Sequence, residues 1–136
     1  MELDNRYNTL KGLVVDRKTE FAALMAFVER ETSYLITPAS TKFHLCHERG
    51  LLEHSVNVAE TMLKLRETLA SEISAESCVI VALLHDLGKA GMPGEPQYLK
   101  NEASEKQKKY GYPASSPYRF NKEMTYLSVP IRSIYL

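Results

Sequence analysis

Neither sign of charge is in excess: seventeen Lys and Arg face seventeen Asp and Glu, for a formal net charge of zero. No global field draws the chain to nucleic acid or to an anionic membrane surface, so any phosphate recognition must be local. Cysteine is scarce, with only Cys46 and Cys78. That excludes a disulfide scaffold, and free thiols in a reducing compartment are expected. No charged-then-apolar leader opens the chain, and the longest apolar run, Cys78 to Leu84, is seven residues. Crossing a bilayer takes about 20. These absences predict a soluble, cytoplasmic protein. With 136 residues, 44% hydrophobic and 25% charged, disorder is also excluded, and one globular domain over residues 1–136 is expected.

Apolar periodicity then divides the chain. Residues 1–16 read as a lead-in with a short apolar patch, Leu13-Val14-Val15. Asp16 stands as an N-cap and Glu20 suits the positive end of a helix over 17–31, whose stripe is Phe21, Leu24, Met25 and Val28. Between Thr32 and Arg49 the period fails around Pro38, with room for a short helix from Pro38 to Phe43. A long helix over Leu51–Leu69 follows, with Leu51, Leu52, Ser55, Val58, Ala59, Met62 and Leu65 inward and His54 on the same side. Ser74 is the expected N-cap of a helix from Ala75 to about Leu87, apolar all round and therefore central, with Gly88 ending it. From Ala90 to Asn121, glycines and prolines interrupt any pattern, and only Glu102–Tyr110 reads as helical. This stretch is a solvated charge run or a lid, and its tyrosines either stack on a base or fill a satellite core. Pro130 opens a last helix through Ile131, Ile134 and Tyr135.

The chemistry sits where two of these helices begin and end. Val81-Ala-Leu-Leu-His85-Asp86-Leu-Gly88-Lys89 is an apolar run that finishes in an imidazole, a carboxylate and an ammonium. His54 stands near the start of the preceding helix, so His54, His85 and Asp86 can converge on one divalent cation. A lone histidine on an apolar stripe is usually a hydrogen-bonded core residue. The His-Asp pair downstream favours the metal. Lys89 would meet a substrate phosphate as a point charge, and Glu53 acts outside the ligand set or faces water. His44-Leu-Cys46-His47 lacks the second ligand pair of a structural zinc site; one imidazole is expected to line the main pocket, so His44 and His47 are candidate substrate contacts.

Leu52-Glu53-His54-Ser55, followed by Leu83-Leu84-His85-Asp86-Leu87-Gly88-Lys89, resembles the HD superfamily of metal-dependent phosphohydrolases. The resemblance implies an all-α helical bundle, metal ligation by His54, His85 and Asp86, catalytic roles for Asp86 and Lys89, and a divalent ion drawn from Mn, Fe, Co, Ni, Zn or Mg. Its substrate would be a phosphomonoester or phosphodiester, in a phosphorylated small molecule such as a nucleotide. One departure stands out: family members supply a final aspartate from a later helix, and no Asp or His follows Asp86 here. Three explanations stay open. The chain is a truncated form, as its blunt apolar end suggests; a glutamate among Glu95, Glu102, Glu105 and Glu123 substitutes; or the fold holds metal poorly. The exposed apolar end also predicts a homodimer. The rival readings are a regulatory module that binds a nucleotide without turnover and an RNA-processing nuclease, against which the zero net charge counts.

Overall fold

Residues 2–136 are described by the computed structural model of the chain. Its frame is a pair of helices, α3 (Gly50–Leu69) and α4 (Ala75–Leu84), packed along their length after a short connection. Ser74 caps α4 as expected, its hydroxyl accepting from the Ser77 N–H at 3.1 Å. Leu51, Leu52, Val56 and Ala59 of α3 meet Val79, Ala82 and Leu83 of α4 in one buried cluster. The inward face of α3 thus includes Val56 and excludes Leu65, which is 52% exposed. It is the first half of α3 that is covered, so the stripe stops short of where the period would carry it.

α4 corrects two expectations. It ends at Leu84, and Leu87–Ala90 form a separate 3-10 turn. Nor is it buried all round, since Val81 is 56% exposed: the helix lies across the core with one face free. Gly88 does not stop the helix but lets another element close in. A Cβ there would stand 2.1 Å from the Val129 carbonyl oxygen, so only glycine permits α6 (Val129–Tyr135) to pack on the turn.

The other side of the core comes from α2 (Lys18–Glu31), formed as its spacing predicts, and from α1 (Leu3–Lys11), a helix within the expected lead-in. Tyr7 and Leu10 bury one face of α1, and Arg6 fastens it to α3 through Glu60 at 2.7 Å. Asp16 does not cap α2; the side chain at that helix start makes no cap bond. The Glu76 carboxylate accepts from the N–H groups of Val15 and Asp16, each at 2.7 Å, and from the Arg17 guanidinium at 2.6 Å. A residue of α4 therefore anchors the backbone that leads into α2.

No helix forms over Pro38–Phe43. Residues 32–49 are a loop whose backbone bonds largely to itself and to the start of α3: Leu51 N–H donates to Thr37 O and Arg49 N–H to Ile36 O. Gly50 is the crossing point, since a Cβ would lie 2.0 Å from the Leu45 carbonyl oxygen. Beyond the 3-10 turn the fold is sparser. β1 (Tyr98–Lys100) and β2 (Tyr118–Phe120) pair antiparallel, Leu99 opposite Arg119, an unforeseen ribbon in a fold otherwise all-α. α5 (Glu105–Lys109) is shorter than the Glu102–Tyr110 expectation because Ser104 and Gln107 form a capping box that fixes its start. Tyr98 and Tyr118 are buried in the ribbon, whereas Tyr110 and Tyr112 are exposed. Both cysteines are free, and no helix among the described residues is long and apolar enough to cross a membrane.

Candidate metal centre

The pairing of α3 with α4 sets the beginning of one helix beside the end of the other, and each carries donors there. His54 Nε2 and His85 Nε2 are 3.2 Å apart, and Asp86 Oδ2 is 3.5 Å from both. Donors about 2.1 Å from a shared cation lie ~3.0 Å apart at right angles and ~3.4 Å apart at the tetrahedral angle. The observed sides, 3.2, 3.5 and 3.5 Å, lie close to the tetrahedral value. The three side chains are part-exposed, 20–32%, which leaves one side of the cluster open to solvent.

Hydrogen bonding behind the rings fixes which nitrogens are available. His85 Nδ1 lies 2.7 Å from the Ala82 carbonyl oxygen. A carbonyl only accepts, so Nδ1 carries a proton, and the neutral form of the ring presents its Nε2 lone pair to the cluster. His54 Nδ1 is 3.1 Å from His44 Nε2. If that Nδ1–H donates to His44, the Nε2 of His54 is likewise a lone pair. Burial first, then the neighbouring His85 ring, hold the His54 imidazole below the ordinary histidine range, with Asp86 acting in the opposite sense. His54 is therefore neutral at pH 7, the form that binds a metal. Two imidazole lone pairs and a carboxylate oxygen facing one point repel each other unless a proton or a cation stands between them. That donor set fits a divalent metal of the nitrogen-and-oxygen-preferring kind.

Lys89, on the 3-10 turn, donates to the same Asp86 Oδ2 at 2.8 Å. Its short reach to the cluster follows from the break after Leu84, which turns residues 85–89 back over the helix end. Tyr34, fully buried, donates its hydroxyl to the Leu83 carbonyl at 2.7 Å. That bond holds the last turn of α4 immediately before the donors. Nothing in the sequence points to Tyr34; a single tyrosine in an irregular stretch carries no period or motif.

Of the remaining candidates, His44 stands directly behind His54, carried there by the 32–49 loop. His47 faces elsewhere: its Nε2 is 3.4 Å from Glu53 Oε2 and its Nδ1 is 2.9 Å from the Glu48 carbonyl oxygen. Glu53 accordingly lies outside the donor triangle. None of Glu95, Glu102, Glu105 and Glu123 joins the cluster among the described residues, so glutamate substitution for a further ligand is not what the fold provides.

Neither the curated proteins nor the solved structures yield a match to the chain. The family model described as HD domain matches residues 51–123, which run from the first turn of α3 through both donor-bearing helix ends to the segment before α6. That match spans more than half of the chain and contains His54, His85, Asp86 and Lys89. The chain belongs to the HD domain family.

Proposed function

We propose that the chain is a metal-dependent phosphohydrolase acting on a phosphomonoester or phosphodiester, with a nucleotide or similar phosphorylated small molecule as substrate. The observation that carries this reading is the convergence of His54 Nε2, His85 Nε2 and Asp86 Oδ2 within 3.5 Å of one another at a part-open surface. His54, His85 and Asp86 would hold the divalent ion. When bound, it would acidify water and polarise a phosphoryl oxygen.

The chain's own residues do the remaining work. Ala82 O holds the His85 ring through its Nδ1–H, and His44 stands within hydrogen-bond reach of His54 Nδ1, so both rings are fixed in orientation. Asp86 supplies the negative charge that Lys89 balances. Lys89, part-exposed and within 2.8 Å of that carboxylate, can turn its ammonium to a phosphoryl oxygen and neutralise charge that builds on it. His44, on the adjoining loop beside His54, would contact the rest of the substrate, whereas His47 is turned toward Glu53 and Glu48.

The test is metal analysis of the purified protein together with hydrolysis of a generic aryl phosphate. Bound Mn, Fe, Co, Ni or Zn near stoichiometry is expected, with turnover. His85→Ala and Asp86→Ala should each remove the metal and the turnover while leaving the far-ultraviolet helical signal intact. Unchanged metal content in both variants would remove them as ligands. Metal-free protein that binds nucleotides without turnover would move the assignment to a regulatory module.

A further inference from the structure

Arg132 of α6 is 4% exposed and has no carboxylate partner among the described residues. Its Nη1 donates to the Gly88 carbonyl and to Gln97 Oε1, its Nη2 donates to the Leu127 carbonyl, and its Nε–H is buried with no acceptor. All three acceptors are uncharged, so the cation is desolvated without a counter-charge, which is costly. Burial accordingly holds the guanidinium below the ordinary arginine range.

The same side chain lines a cavity of about 370 Å³ between β2, the 121–128 segment and α6. That is the size of a small-molecule site. Lys122 lines it too and forms no ion pair among the described residues, and no aspartate or glutamate is in the lining. The remaining wall is largely apolar and aromatic, with Phe120, Met124 and Tyr126. Two cations over an apolar floor, one of them buried without a counter-charge, match a ligand with an anionic head and an apolar body. The cavity shares no residue with the His54, His85 and Asp86 cluster, and one hydrogen bond, Arg132 to Gly88, links it to the turn that carries Lys89.

We propose that this cavity is a second binding site, for a small organic anion that sets a carboxylate or phosphate-like group against Arg132 and Lys122 and its apolar body against Phe120, Met124 and Tyr126. The inference does not depend on hydrolytic activity.

The test is nuclear magnetic resonance of the full chain, following the Arg132 Nε–H signal assigned through its side-chain carbons, with benzoate and phenylphosphonate titrated separately. A saturable shift with either probe is expected, and which probe binds more tightly assigns the head group. Lys122→Glu, an exposed substitution, should weaken the stronger probe about tenfold, the effect of losing and reversing one attractive charge. His85→Ala should leave the titration unchanged. The proposal is overturned if neither probe shifts the signal saturably at millimolar concentration in the folded protein, if Lys122→Glu leaves the affinity as it was, or if His85→Ala abolishes the shift and so places the probe at the metal centre.

Discussion

Residues up to Ala90 and residues beyond it are held together by different forces. Every fully buried member of the main apolar cluster, from Tyr7 to Ala90, lies in the first region. After residue 90 the buried apolar side chains are Tyr98 and Tyr118, and the buried polar ones are Gln97 and Arg132. Apolar burial is non-directional and cumulative, whereas a hydrogen bond contributes about 1 kcal/mol net and only in good geometry. The three candidate metal donors all stand on the first region, and a triangle with 3.2–3.5 Å sides needs its rigidity to keep its shape. Lys89 and the proposed anion cavity sit where the second region meets the first, through Gly88 and Arg132. The lesson is a division of labour: the packed helices fix the donors, and the sparser segment shapes what comes near them.

Breaking the first region should cost most. Leu83→Ala removes a fully buried side chain from the contact between α3 and α4. A loss of about 2–5 kcal/mol in unfolding free energy is expected from the denaturant midpoint. Tyr126→Ala, at an almost fully exposed position in the second region, should change the same midpoint by no more than about 0.5 kcal/mol. Equal losses would mean that the two regions are not held differently.

Tyr34→Phe sharpens the comparison inside the first region, since it keeps the ring and deletes only the hydroxyl that donates to Leu83 O. The unpaired buried carbonyl should cost about 1–2 kcal/mol. Because that bond holds the end of α4, metal affinity should also fall, read by competition with a chelator. A stability loss with unchanged metal affinity would uncouple Tyr34 from the donors.

The last effect is a matter of pH. Glu76 is buried against Arg17 and the 15–17 backbone, and the Arg17 guanidinium, with those N–H groups, draws its carboxyl down to about 2 from an ordinary 4.5. A carboxyl depressed in the folded state contributes stability above its unfolded value and loses it as the pH falls toward its folded one. The thermal midpoint of the wild type should therefore decline between about pH 4.5 and 2, and the decline should be shallower in Glu76→Gln. Parallel curves would show that the charge is not what holds the junction.

The legible parts of the sequence were those with repeated or local signals. α2, α3 and the start of α4 follow from apolar spacing, with Ser74 adding a cap, and His54, His85 and Asp86 follow from donor residues placed at helix ends. α1 is not legible there, because a nine-residue helix with two buried side chains carries too little periodicity. Strands of three residues, β1 and β2, are too short to show alternation. The break after Leu84 carries no local signal, and the turn that follows it is packed by α6 at Gly88, whose carbonyl accepts from Arg132. Asp16 is a cap by residue type, but the start of α2 has no side-chain cap, and a distant carboxylate holds the backbone just before it. Tyr34 and His44 act on the donors through single hydrogen bonds that no spacing encodes.

The group that anchors the backbone leading into α2 lies about sixty positions further along the chain. As the polypeptide emerges during synthesis, α2 is made long before its partner exists, so the backbone at residues 15–17 must stay satisfied by water until α4 docks. A fragment ending at Glu31 should accordingly fray at that end. Maturation of the N-terminal helices and delivery of His85 and Asp86 to their place are then one cooperative event, completed by the same short element.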